Sequence, residues 1–247
     1  MSASHCVANP LDNPIWHALT SDQSHLAEGA GQARRYPHDI GPLAGLPEQS
    51  SEAYADLAPL SGKDSVSGKL SDQLVLFLDE PPHLPSGWVL DVGGELTQMV
   101  FEPEWPNVLK GPADDLVSSP SPVVLGEGDI PAMLALTRLC KPGPFRQNTH
   151  QLGLYLGIYQ EGHLVAMSGE RLNLSGYTEI SAVCTHPDYQ GRGYARQLIH
   201  AVARQIQARG KTPFLHTRPD NTGAIRVYEA LGFRQRRLFH LAVIRAV

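Results

Sequence analysis

The residues with the clearest chemical potential are Gln190-Gly191-Arg192-Gly193-Tyr194-Ala195, a glycine-bearing turn between an alternating stretch and an amphipathic one. Glycines there let the chain bend without a Cβ penalty and let an anion come close to the main chain. The first N–H groups of a helix lack partners, and its macrodipole is positive at that end. Placed at a helix start, the hexapeptide predicts a seat for a pyrophosphate. An ordinary turn before a core helix has the same two glycines, so the surroundings must decide.

Two types of phosphate loop are disfavoured. No Gly-Lys-Ser/Thr ending follows the turn. A dinucleotide fingerprint needs a small residue three places after Gly193, where Arg196 stands, and an acidic end to the next strand, where Arg218-Pro219-Asp220 stands.

The flanking elements follow from periodicity. Ile180, Ala182 and Cys184 alternate with Glu179, Ser181, Val183 and Thr185, which predicts a half-buried strand ended by His186-Pro187-Asp188. Ala195, Leu198, Ile199, Val202 and Ile206 fall on one helix face, with Gly210 as the stop. Further along, Asn221 predicts the cap of a helix reaching Leu231, and Phe233 to Val243 predicts a closing strand pair. Before the turn, strands are expected over Val123–Leu125, Leu154–Tyr159 and Leu164–Leu174, and helices over Ile130–Cys140 and Phe145–Leu152. In the first half the expectations are a helix from Thr20 or Ser21 to Glu28, one from Ser50 or Ser51 to Leu60, and a buried strand over Gln73–Leu78. A hairpin is expected to join Trp88–Leu90 to Leu96–Phe101 through Gly93-Gly94.

The segment VCTHPDYQGRGYA resembles motif A of the GNAT acyl-CoA N-acyltransferases, with Gln190, Gly193 and Ala195 at the pattern positions. Asn221, Ala224, Tyr228, Gly232 and Phe233 resemble the family's later helix segment, and the likeness extends over Val123–Val247. It implies an α/β (α+β) GNAT fold: a mixed, mostly antiparallel central sheet flanked by helices. Pro142-Gly143-Pro144-Phe145 and the motif-poor first half resemble the glycine N-acyltransferase-like branch. That closer likeness implies a smaller, degenerate GNAT-like α/β domain at 1–117, a linker at 118–122 and a complete domain at 123–247.

The resemblance also implies a site. The cofactor contacts fall to Val183, Cys184, Thr185, Gln190, Gly191, Arg192, Gly193, Tyr194, Ala195, Asn221 and Ala224, with acetyl-CoA as co-substrate and no metal. Acyl transfer to an amine must remove one proton and supply another. A lysine-like ammonium, with a pKa near ~10.4, costs about 4–5 kcal/mol to neutralise at pH 7, and the leaving thiolate needs an acid. Tyr228 occupies the place of the family's acid. Glu179, eleven residues before Gln190, occupies that of the glutamate base in the histone acetyltransferase branch. Ser181, His186 and His216 are lesser candidates, and Cys184 is disfavoured as a nucleophile because no histidine pairs with it in the pattern.

Composition sets the outer bounds. The 247 residues carry a formal charge of −5, which disfavours a partner nucleic acid, and Arg234, Arg236 and Arg237 read as a solvated face. Cys6, Cys140 and Cys184 lack CxxC spacing and read as reduced thiols of a cytoplasmic protein. Eleven histidines show no zinc-type spacing, and no apolar run is long enough for a membrane span. The resulting expectation is an N-acetyltransferase acting by direct attack in a ternary complex, on a small-molecule amine or a protein amino group. The alternative is a decayed acyl-CoA-binding or regulatory module. Oligomeric state is not legible.

Overall fold

The computed structural model describes residues 9–61, 73–102 and 120–247; Cys6 and residues 118 and 119 of the expected linker lie outside the described residues. Helix α1 (Pro14–Thr20), with proline in its first turn where the missing N–H costs nothing, ends where the expected helix was to begin, and the expected span to Glu28 holds only a 3-10 turn at Ser24–Leu26. Thr20 and Ser21 close this helix: their hydroxyls donate back to the carbonyls of Trp16 and His17. Strands β1 (Arg34–Arg35) and β2 (Ala44–Gly45) form a small pair. Helix α2 (Ser51–Leu57) is capped by Ser50, whose side chain accepts from the amide of Ala53. Strand β3 (Leu74–Leu78) is buried along its whole length.

Strand β4 (Trp88–Phe101) corrects the first expected hairpin. Asp91 to Glu95 run straight through as strand, with Gly93 opposite Ala242 and Gly94 opposite Leu241. After β5 (Val123–Val124) come α3 (Ile130–Cys140), a 3-10 turn at Thr149–Leu152, and strands β6 (Tyr155–Gln160), β7 (His163–Leu174) and β8 (Tyr177–Thr185). Helix α4 (Tyr194–Ala208), strand β9 (Thr212–Thr217), helix α5 (Thr222–Ala230) and strand β10 (Phe233–Ala246) complete the order. Strand β10 corrects the second hairpin, being one strand with a bulge between Gln235 and Arg237. The two expected hairpins are two long strands, and they pair with each other.

The large sheet runs β3-β10-β4-β9-β8-β7-β6-β5, antiparallel throughout except for β8 against β9. It is the mixed, mostly antiparallel sheet that the sequence predicted. Strands from both expected domains share this sheet, because β4 is inserted between β9 and β10 and β3 extends the edge. Hydrophobic burial explains the merger. Leu11, Ile15 and Leu19 share one core with Leu172, Leu174, Phe214 and Phe239, and each such side chain contributes about 1.5–3 kcal/mol when fully buried. Helices α4 and α5 pack together over another core that includes Met99, Ile158 and Phe233.

Candidate active site

Strands β8 and β9 pair in parallel at Tyr177–Thr212, Thr178–Pro213 and Glu179–Phe214, and their registered pairing ends there. Beyond Glu179 the edge of β8 that faced β9 is open. The opposite edge carries a bulge: Met167 faces Cys184 and Gly169 faces Ser181, so Ala182 and Val183 together oppose Ser168. Ala182 has φ +53°, the left-handed region that a non-glycine residue rarely adopts. The extra residue shifts the phase of the strand. Ile180 and Val183 pack with the α4 core, while Ala182 and Cys184 pack beneath α3. The simple alternation expected from sequence therefore breaks at the bulge.

The glycine turn opens directly from this strand. His186 caps the 3-10 turn Pro187–Tyr189, its Nδ1 accepting from the amide of Asp188. Gly191 (φ +76°) and Gly193 (φ +79°) both occupy the left-handed region, and a Cβ at either would meet nothing within 4 Å. Residues 190–193 are exposed, so the main chain at the start of α4 faces solvent. Tyr194 is buried in the α4 core and roots the turn, with Ala195 half-buried behind it. Arg192 places its guanidinium 4.7 Å from the ring centre of Tyr189, adding positive charge beside the turn. Concave main chain, a helix N-terminus and a nearby cation suit a diphosphate.

Asn221 caps α5, its side-chain oxygen accepting from the amide of Ala224 at 3.3 Å. Tyr228 on that helix is only 8% exposed, and its hydroxyl makes no hydrogen bond among the described residues. Burial pushes its pKa up to about 12, which keeps the proton on the oxygen at neutral pH. Val183, Tyr189, Tyr194, Ala224 and Tyr228 all belong to one packed cluster. The structure therefore brings the bulged strand, the turn and the later helix together.

Glu179 is placed differently from its expected role. It is 0% exposed, and its carboxylate accepts from Arg171 Nε at 2.8 Å and Nη2 at 2.6 Å, and pairs with His216 Nδ1 at 2.7 Å. Burial alone would raise its pKa, but the Arg171 charge and these hydrogen bonds win and hold it at about 2. A carboxylate clamped by three donors and held near 2 lacks the basicity to take a proton from an ammonium, which weighs against the base role expected of Glu179. His216 is equally enclosed: Nε2 meets the side-chain nitrogen of Gln98 at 3.2 Å, and burial lowers its pKa. Gln98 in turn accepts from Arg236, which pairs with Asp12 at 2.6 Å. A polar row thus crosses five adjacent strands: Arg171, Glu179, His216, Gln98 and Arg236.

Sequence reasoning missed Arg171. Its signal was the charged pair Glu170-Arg171 in the middle of a strand that begins with the apolar run Leu164–Met167, opposite a strand carrying Glu179. Ser181 stands beside the bulge and lines a small pocket with Arg171, whereas His186 is occupied as a cap. Cys184 is buried, and burial together with the adjacent Cys140 pushes its thiol far up, the reverse of an activated nucleophile. Among the described residues no group of His, Cys, Asp or Glu could hold a metal ion, and no helix is long and apolar enough to cross a membrane.

Comparison with known proteins decides the family. A protein of Novosphingobium aromaticivorans described as a GNAT-family acetyltransferase superposes with a TM-score of 0.84 and 36% identity, covering 97% of this chain and 99% of that one. The [ribosomal protein bS18]-alanine N-acetyltransferase of Haemophilus ducreyi is 44% identical over 105 residues, 32% of this chain and 72% of that protein. This chain belongs to the GNAT family. The family model described as FR47-like protein matches residues 155–240, from β6 into β10 and across the whole candidate site. A GCN5-related N-acetyltransferase-like protein from Streptococcus suis shares the fold at 16% identity, with a TM-score of 0.59 over 94% of this chain and 92% of that one. The GNAT fold and relatives that are N-acetyltransferases identify the chain as an acyltransferase.

Proposed function

We propose that this GNAT acyltransferase moves an acetyl group from acetyl-CoA to an amine by direct attack in a ternary complex. The observation that carries the reading is the meeting of three features in one packed cluster: the open edge of β8, the exposed turn at residues 190–193, and Tyr228. The main chain of Gln190 to Ala195 would hold the diphosphate, with Arg192 alongside. Val183, Cys184 and Thr185 would offer the open strand edge to the pantetheine arm and an N–H to the thioester oxygen. Asn221 and Ala224 would bound the slot on the α5 side.

The donor supplies an activated carbonyl carbon. The amine nitrogen bonds to that carbon, the C–S bond breaks, Tyr228 passes its proton to the departing sulfur, and the proton that the nitrogen sheds on becoming an amide returns through solvent to the Tyr228 oxygen. Tyr228 suits the role because its hydroxyl is protonated and uncommitted. With Glu179 and His216 enclosed, the proton leaving the ammonium goes to solvent. The acceptor is a small-molecule amine or a protein amino group, and the setting is cytoplasmic. The test is calorimetric titration with CoA followed by thiol release from acetyl-CoA over a panel of amines. Saturable binding with amine-dependent release is expected, and absence of both overturns the reading.

The enclosure of Glu179 favours a second reading, a CoA-binding module that no longer turns over. Tight binding with no thiol release on any amine would select it.

A further inference from the structure

The two cysteines among the described residues, Cys140 and Cys184, come from different elements and meet. Cys140 is the last residue of α3, and Cys184 lies on β8 just past the left-handed Ala182. Both pack in the apolar cluster beneath α3, with Met133, Leu136, Leu164 and Met167. The Cys140 sulfur lies 3.4 Å from the carbonyl oxygen of Thr185, the neighbour of Cys184, and shares a hydrogen bond with the Cys184 thiol. Cys184 is buried, whereas Cys140 is half-buried and within reach of a small oxidant from outside.

The acyl transfer proposed above uses neither sulfur. The main chain of Val183, Cys184 and Thr185 is nevertheless the edge offered to the donor, so a covalent tie at Cys184 acts on the donor seat. Two hydrogen-bonded sulfurs stand well outside the S–S bond length of about 2.05 Å. Closing that bond draws the end of α3 and the end of β8 together. A misplacement of about 1 Å at a reacting site costs up to about 10²-fold in rate.

From this arrangement we infer that Cys140 and Cys184 form a reversible intramolecular disulfide, a redox modification site that weakens donor binding when closed. The oxidant is a peroxide. The Cys140 sulfur attacks a peroxide oxygen, the O–O bond breaks, and Cys140 becomes a sulfenic acid with release of water. The Cys184 sulfur then displaces that hydroxyl, which leaves as water with the thiol proton, and the S–S bond forms. Two thiols are oxidised by two electrons while one hydrogen peroxide is reduced to two waters. A dithiol reductant reopens the bond by exchange. Burial raises both thiols above their ordinary pKa, so the attacking thiolate is scarce at neutral pH. The pair stays reduced through a brief exposure and closes under a sustained one.

The test treats the intact chain with hydrogen peroxide, in a Cys6→Ser background that leaves these two cysteines alone. Intact mass should fall by two hydrogen atoms and recover with dithiothreitol. The closing rate should rise about tenfold per pH unit above neutrality. Calorimetry should show CoA affinity lower by about tenfold in the closed form and restored on reduction. Cys140→Ser should escape the mass loss and keep its CoA affinity through the treatment. Oxygen added to a sulfur without loss of the two hydrogens, or a closed form that binds CoA as the reduced one does, overturns the inference. A reduced protein that binds no CoA overturns the donor reading and the effect on it, while the mass still decides the disulfide.

Discussion

Oε1 of Glu179 lies 2.7 Å from Nδ1 of His216, at the point where the registered pairing of β8 and β9 ends. A carboxylate at the mouth of the splayed strands looks from sequence like a catalytic base. In the fold it ties three strands together beneath that mouth. The substitution Glu179→Gln should therefore act first on stability. Leaving Arg171 buried without its anion costs about 3–5 kcal/mol, or roughly 10 °C in Tm for a chain of this size. Differential scanning calorimetry beside steady-state kinetics checks it. A selective loss of kcat at unchanged Tm would restore the base role.

The same pair sets how stability depends on acidity. His216 has a lowered pKa, so the unfolded imidazole, at its ordinary value of about 6.5, takes up a proton before the folded one does. Stability should be flat above neutrality and fall as pH drops below about 6.5. Glu179, held at about 2 against an ordinary 4.5, adds a second loss between those values. Each group contributes a slope of up to about 1.4 kcal/mol per pH unit. Urea unfolding from about pH 8 to about pH 2.5, on wild type and on His216→Gln, separates the two: the variant should lose the part of the slope that begins near 6.5 and keep the part below 4.5.

A site without an available base leaves its imprint on the rate profile. With solvent taking the proton, kcat/KM should rise about tenfold per pH unit up to the pKa of the acceptor amine itself. Exchanging one acceptor for another of different amine pKa should move the inflection by the same amount. An inflection that stays fixed while acceptors change would reveal a basic side chain in the protein.

Tyr228→Phe should lower kcat by about 10²-fold or more, the usual scale for a positioned acid. Its hydroxyl bonds nothing among the described residues, so thermal stability and CoA affinity should both be preserved. Unchanged turnover would remove Tyr228 from the chemistry.

Gly193→Val places a branched side chain at φ +79°, where it costs roughly 1–2 kcal/mol and covers main chain that is now exposed. Calorimetry should show CoA affinity falling by about tenfold or more. The fold should persist, because a Cβ there collides with nothing.

Much of the site was legible because its signals are local. The turn at residues 190–193, the cap at Asn221 and the hairpin between β6 and β7 each depend on neighbours a few positions away. Where the reading failed, the deciding partner was far off in sequence. Gly93-Gly94 looks like a turn until Leu241 and Ala242 pair with it. Arg236 and Arg237 look solvated until Asp12 draws both together, at 2.6 and 3.1 Å. Glu179 looks like a poised base because nothing near it in sequence shows that Arg171 will clamp it. The break at Ala182 is also non-local, since the bulge exists only in register with Met167 and Gly169.

The insertion of β4 between β9 and β10 bears on how the chain matures during synthesis. Residues 88–101 emerge from the ribosome more than a hundred residues before the two strands that will sandwich them. Throughout that interval the native partners of both backbone edges of this strand are still unmade, and its apolar end, Leu96–Phe101, is the part that needs them most. The polypeptide cannot mature strictly front to back: β5 to β8 can pair as they emerge, but loss of the last strand would leave β3 without its partner and β4 without its longest one.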